Sequence, residues 1–298
     1  MNIWVISQLQ ASLGNQRFLD AAHRAGHSAE LVHPLDLDLL VSTGAGFGIR
    51  YRGVSKDLPD LAFTRMGATS PPACLNTLLQ LQALGIPVIN DPRALWLTRD
   101  KVRCSLTLAR AGLAIPRMVI PGRDFKMDCI VEQLGPAPWV VKLAEGCKGE
   151  AVFLVHDEAE LRRYTDAAVQ TEVPLLVQRF VAESSGVDLR VLVAGGSVLG
   201  AMRRRSSTGD FRSNLHQGGT GEPVNASPAV EHLALSAVAI LGLDVAGVDV
   251  LESNQGPLLI EVNGSPGLAG IGDATQTDVG GAVVAYLERS KATLSRHT

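Results

Sequence analysis

Val248-Asp249-Val250 and, further on, Ile260-Glu261-Val262-Asn263 are two apolar runs that carry acidic or amide side chains at alternate positions. The segment Ser253–Gly256 between them has the composition of a tight turn, so the two runs read as a hairpin. Side chains two apart in a strand face the same side, which puts Glu261 and Asn263 together. Pairing across the hairpin then brings Asp249 beside them. Three oxygen donors on one face, with apolar neighbours pointing the other way, suit Mg²⁺. Two ions bridging phosphate oxygens would give the glutamate a bidentate role. A plain exposed hairpin face would also hold three polar side chains, but it leaves the Asn263-Gly264-Ser265-Pro266-Gly267 turn that follows without a reason.

Upstream, Val140-Val141-Lys142 ends a buried strand and leads into Leu143-Ala144-Glu145-Gly146-Cys147-Lys148-Gly149, followed by the strand Ala151–Val155. Glycines let backbone N–H groups approach an anion and lysine adds a compact positive charge, so the stretch reads as a phosphate-covering flap. No GxxxxGK[ST] occurs, which excludes a P-loop. Gly44-Ala45-Gly46-Phe47-Gly48 lacks the GxGxxG spacing and reads as a loop. The most basic stretch runs from Arg203-Arg204-Arg205 to Arg212-Ser213-Asn214, with Asp210 its single acid. It reads as a solvated loop, a nucleic-acid contact or a set of planar clamps for carboxylate and phosphoryl groups. The neighbouring metal and flap readings favour the clamps.

The rest of the chain supplies an α/β frame. Strand, helix, strand at the start, then a loop-rich or hairpin-like 38–60, a strand at Leu61–Arg65 and a helix from Pro72 make a small α/β domain over residues 1–95. Residues 96–177 carry the flap and 178–298 the hairpin. Leu175–Val181, Val187–Val193 and Ser197–Arg203, joined by glycine-bearing turns, are expected to share one antiparallel sheet. A net charge of −3 gives no global basic surface, which argues against a nucleic-acid binder. Cys74, Cys104, Cys129 and Cys147 form no CxxC pair, as expected of reduced thiols in the cytoplasm. The first residues lack a signal-peptide pattern, and no apolar run approaches the ~20 residues of a membrane helix.

The series Lys101, Lys142, Gln178-Arg179-Phe180-Val181, Asp188-Leu189-Arg190, Arg212-Ser213-Asn214, Asp249 and Glu261-Val262-Asn263 resembles ATP-grasp enzymes. Tyr51-Arg52-Gly53, Arg65-Met66-Gly67, Arg99-Asp100-Lys101, Gly209-Asp210-Phe211-Arg212-Ser213-Asn214-Leu215-His216 and Glu261–Leu268 sharpen the likeness to the RimK-type α-L-glutamate ligases, over nearly the whole chain. The resemblance implies an ATP-grasp fold preceded by a pre-ATP-grasp α/β domain. It implies that Lys101 and Lys142 contact phosphates, Gln178–Val181 line the adenine site and Asp188 reaches the ribose. Arg212 and Asn214, with Arg190, would hold the γ-phosphate and the developing acyl phosphate beside Ser213. Asp249, Glu261 and Asn263 would hold two Mg²⁺ or Mn²⁺ ions. The implied reaction joins L-glutamate to the C-terminus of a peptide or protein, in this family a small-subunit ribosomal protein, at the expense of ATP. Relatives act on other peptides, carrier proteins or cofactors and often form dimers or tetramers, and a non-catalytic nucleotide-binding regulator is the alternative from another class. Arg204 and Arg205 are expected to bind an acidic tail or a glutamate. Arg179 stands where family members often carry glutamate, and Cys147 where a hydroxyl or amide residue is common.

Overall fold

The computed structural model describes residues 1–9, 12–43, 46–67, 70–144, 151–213 and 219–294. The chain starts as a parallel α/β layer. Strands β1 (Asn2–Ile6), β2 (Ser28–Val32), β5 (Leu61–Thr64) and β6 (Val88–Ile89) make a sheet in the order β2-β1-β5-β6. Helices α1 (Leu13–Arg24) and α2 (Pro72–Ala83) are the crossovers. Between β2 and β5, β3 (Leu37–Ser42) and β4 (Gly46–Tyr51) form a separate antiparallel hairpin. The glycine stretch expected to be a loop thus continues into a strand. Gly48 permits it, since a Cβ there would stand 3.3 Å from the Leu40 side chain across the ladder.

Helices α3 (Pro92–Arg99) and α4 (Lys101–Arg110) come next, and each starts where an aspartate stops the extended chain. Asp91 accepts from the Arg93 and Ala94 amides and Asp100 from those of Val102 and Arg103, satisfying donors that a helix start leaves unpaired. The middle layer contains β7 (Met118–Val119), α5 (Met127–Leu134), β8 (Trp139–Leu143), β9 (Val152–Val155), α6 (Glu158–Thr171) and β10 (Leu175–Arg179). Its antiparallel sheet has the order β7-β10-β8-β9. The third layer contains β11 (Val187–Ala194), β12 (Ser197–Arg205), β13 (Thr220–Pro223), α7 (Pro228–Ile240), β14 (Val245–Ser253), β15 (Gly256–Asn263), α8 (Leu268–Thr275) and α9 (Val279–Leu294). Its five strands run antiparallel in the order β13-β12-β11-β14-β15.

Two sequence expectations are corrected here. β10 does not join β11 and β12: all five of its residues pair with β8, from Leu175↔Leu143 to Arg179↔Trp139. A boundary at 177/178 therefore cuts a strand of the middle sheet. The physical cause is burial, because Leu175 and Val177 pack with Trp139, Val141 and Leu161 in a cluster made only of middle-layer residues. Helix α5 begins after Lys126 with no side-chain cap, so its start carries no sequence signal.

The first and third layers share their cores. Trp4, Leu78, Val191, Val248 and Val262 belong to one apolar cluster, and Ile3, Phe63, Leu192, Val245 and Val283 to another. Asn90, fully buried just after β6, links the same two layers through its side chain. It donates to the Val245 and Gly264 carbonyls at 2.7 and 2.6 Å and accepts from the Asp244 and Val245 amides at 2.6 and 2.8 Å.

Candidate nucleotide and metal site

The β14–β15 hairpin forms as expected and brings Asp249 beside Glu261. Asp249 pairs with Glu261 and Gly247 with Asn263. Asp249 is 3% exposed, Glu261 is exposed, and the Asn263 Oδ1 accepts from the Ser265 amide at 2.8 Å. The ladder slips by one residue after Asp249, so Ile260 is the inserted residue of a bulge. Strict alternation would turn Ile260 away from Glu261; with the bulge, both line the same cleft.

The next strands surround Asp249 with arginines. Arg190 on β11 stands opposite it and donates from Nε and NH2 to its two oxygens, both at 2.6 Å. Arg204 on β12 pairs with Asp188 through Nε at 2.7 Å and NH2 at 2.5 Å, and its NH2 also lies 2.9 Å from Asp249. Burial alone would raise the Asp249 pKa, yet Arg190 and Arg204 outweigh it and hold the carboxyl below its ordinary value. Asp188 goes the other way: burial, reinforced by the Asp249 charge, pushes it up against Arg204. Burial disfavours the Arg204 cation, but the two aspartates overcome that and raise its pKa. Arg204 is 3% exposed. The expectation that it binds a glutamate or an acidic tail is therefore corrected, because its donors are directed at Asp188 and Asp249 inside the sheet. Arg205, one residue on, points outward and pairs with Glu222 at 3.3 Å.

The opposite wall comes from the middle layer. Lys142 on β8 is half-buried, and burial lowers its ammonium to about 8, with Glu261 opposing that shift and Lys101 adding to it. Lys101 opens α4, and its amide donates to the Ala144 carbonyl at 3.0 Å. Gln178, Arg179, Phe180 and Val181 lie where β10 leaves its sheet. The Arg179 amide is taken by the Arg117 carbonyl at 2.9 Å and its side chain is exposed, so this residue meets the cleft differently from its buried neighbours Gln178 and Val181. Phe180 and Phe211 meet edge to face at 6.3 Å, which makes this end of the cleft aromatic. Arg212 is held by Asp210 at 2.7 Å from NH2, a contact that raises the guanidinium and lowers the carboxyl. Ser213 is buried beside it. Asn214, the Gly146–Gly149 flap and Cys147 lie outside the described residues.

These walls bound a single cleft that opens to solvent. Lys101, Lys142, Gln178 to Val181, Asp188, Arg212, Ser213, Asp249 and Glu261 all line it. Arg190, Arg204 and Asn263 stand behind or beside that lining. Sequence reasoning missed the apolar liners Val140, Val187, Leu251 and Ile260, for which alternation is the only signal. An apolar, aromatic end suits a flat heterocycle, and the lysines at the other end suit phosphates.

For a divalent cation, Glu261 and Asn263 offer hard oxygens, and Asp249 offers carboxylate lone pairs not taken by its arginines. The donor set fits Mg²⁺, with Asp249 shared between any ion and the two guanidinium groups. Among the described residues no cluster of three or more His, Cys, Asp or Glu side chains forms a purely protein-built metal cage.

Comparison with known proteins gives the family. Residues 1–95 match the RimK PreATP-grasp domain and residues 98–287 the RimK-like ATP-grasp domain. A probable alpha-L-glutamate ligase from Thioalkalivibrio sulfidiphilus is 37% identical over 97% of this chain and 96% of its own. One from Methanococcoides burtonii is 33% identical over the same shares. Among solved structures, the ATP-grasp ligase PsnB complexed with minimal precursor, Mg and ADP superposes with a TM-score of 0.72 at 18% identity, over 97% of this chain and 98% of that one, a likeness of fold. Matched along both segments and more than 30% identical to these relatives over nearly its full length, the chain belongs to the RimK-like ATP-grasp ligases.

Proposed function

We propose that this ligase uses ATP and Mg²⁺ to join L-glutamate to the C-terminal carboxylate of a peptide or protein. The observation that carries the proposal is a single cleft with Lys101 and Lys142 on one wall, Asp249 and Glu261 on the other and the Phe180/Phe211 pair at one end. The names of the glutamate-ligase relatives and the minimal precursor, Mg and ADP in the PsnB complex support it.

A carboxylate is a poor electrophile, so the first step transfers the γ-phosphoryl group of ATP to the acceptor's terminal carboxylate and releases ADP. That transfer is chiefly a matter of positioning and charge neutralisation. Lys142 and Lys101 take the phosphates, and Arg212, held in place by Asp210, faces the transferred group. Gln178 to Val181 and the two phenylalanines hold the base. Bound at Glu261 and Asn263 beside Asp249, Mg²⁺ would supply charge neutralisation for the phosphate oxygens. The α-amine of glutamate then attacks the acyl phosphate, forming the amide C–N bond and expelling inorganic phosphate. Arg190 and Arg204 fix Asp249 so that its charge sits at one place in the cleft.

The acceptor we propose is the C-terminus of a small-subunit ribosomal protein, modified in the cytoplasm by a homo-oligomeric enzyme. No described helix is long and apolar enough to cross a membrane. Glutamate-dependent release of ADP and phosphate, scored over a panel of amino acids with product masses, tests the reaction. Release with glutamate, and an acceptor mass gain of one or more glutamyl residues, is the expected result. Preference for another amino acid would sink the glutamate assignment, and no release with any would sink the ligase reading.

A further inference from the structure

Arg65 directly follows β5, is only 9% exposed, and among the described residues has no carboxylate partner. Its Nε donates to the Asn15 Oδ1 at 3.2 Å and its NH1 to the Pro266 carbonyl at 2.6 Å. No described residue accepts from NH2. Burial lowers this guanidinium to about 10, which leaves it charged at neutral pH. An isolated cation in such a place is costly unless something neutralises it.

The free NH2 lies beside a second set of unused donors. A Cβ placed on Gly14 would stand 3.6 Å from the Arg65 NH2, 3.5 Å from the Leu268 amide and 3.6 Å from the Ala269 amide. Those two amides begin α8, whose cap residue Gly267 has no side chain, and no described group accepts from them. A helix start of this kind presents partial positive charge. Guanidinium and helix end thus face the same point beside Gly14, which carries no side chain to cover them. The same place adjoins the cleft: Pro266, which Arg65 grips, packs on Gly247, where an added Cβ would lie 2.9 Å from the Pro266 Cβ and 3.7 Å from the Arg190 Nε. Arg190 in turn holds Asp249.

We infer that Arg65 and the first amides of α8 bind the α-carboxylate of the incoming amino acid, the substrate whose amine attacks. This rests on the ligase reading above, but not on the amino acid being glutamate. Substrate carboxylate would replace the counter-charge the chain itself withholds, and its α-amine would be held on the Asn263 side of the Gly264–Gly267 turn. The γ-carboxylate of glutamate, or any other side chain, would be read elsewhere.

The test uses the full chain with Mg²⁺-ATP and acceptor, and compares wild type with Arg65→Gln, Arg65→Lys and Gly14→Val, the last placing a side chain against the Arg65 NH2 while leaving Arg65 itself unchanged. Loss of a charge-assisted contact should raise the KM for the amino acid about tenfold or more in Arg65→Gln, with the ATP KM little changed. Gly14→Val should do the same, and Arg65→Lys should recover part of the loss. Wild type should discriminate strongly against the α-carboxamide of the amino acid, and Arg65→Gln should not. A melting-temperature rise with Mg²⁺-ATP in every variant verifies that each is folded. An amino-acid KM that rises less than about tenfold in folded Arg65→Gln, an equal rise in the ATP KM, or retained discrimination against the carboxamide overturns the inference. If another amino acid replaces glutamate in the ADP-release panel, the glutamate reading alone fails and the comparison is made with that amino acid. If none is active, both fall.

Discussion

Among the described residues two arginines are buried, in opposite circumstances. Arg204 sits in the five-stranded sheet with Asp188 and Asp249 on its donors. Arg65 sits at the C-terminal end of the first sheet with two neutral oxygens and a free nitrogen. Continuum reasoning and mutational experience agree that a buried pair is seldom a large net source of stability, while removing one partner is severe. The first arginine therefore organises the protein's own charges. The second leaves its charge for something that arrives.

Breaking the paired side should have the largest effect. Arg204→Ala leaves Asp188 and Asp249 buried without their shared partner, and we expect a loss of about 3–5 kcal/mol in unfolding free energy, read by urea melts. A loss under about 1 kcal/mol would mean the cluster relaxes or fills with water. Asp249→Asn keeps the volume and removes the charge. It should lower the rate of ADP release by about 100-fold, or about 2.7 kcal/mol of barrier, with the Mg²⁺ requirement shifted to higher concentration.

Lys142 sharpens the comparison, since burial lowers it to about 8. Its cation is present at pH 7 and is lost as pH rises through 8. The affinity of the free protein for ATP, measured calorimetrically, should therefore fall several-fold from pH 7 to pH 9. Lys142→Arg, charged throughout that range, should abolish the fall. Arg205→Ala is the smallest expected effect. Exposed and paired with Glu222, it should change stability by no more than about 0.5 kcal/mol, in contrast to its buried neighbour.

The cleft was legible where chemistry is local. Alternation in Val248-Asp249-Val250 and Ile260–Asn263 marked the hairpin, though not the bulge at Ile260 that sets Asp249 opposite Glu261, and lysine before a glycine turn marked the phosphate end. What escaped depends on partners far apart in the chain. Arg203-Arg204-Arg205 looks uniform in sequence, yet strand alternation turns the middle residue inward to aspartates on β11 and β14 and leaves Arg205 in solvent. Neither Arg65 nor Asn90 sits in a motif whose spacing reveals its role; each is decided by the loop and sheet that pack over it. β10 followed the same logic, since apolar composition made it a strand but only packing against Trp139 and Val141 chose its sheet.

The Asn90 clamp and the two shared cores also determine how the enzyme can breathe. The first and third layers are joined through buried carbonyls, amides and common apolar clusters, while the middle layer keeps a core of its own. Nucleotide exchange is therefore expected to pivot on the middle layer, with chain segments 111–117 and 180–186 as its tethers. Arg65 and the start of α8, held between the first and third layers, are expected to keep their places while ATP comes and goes.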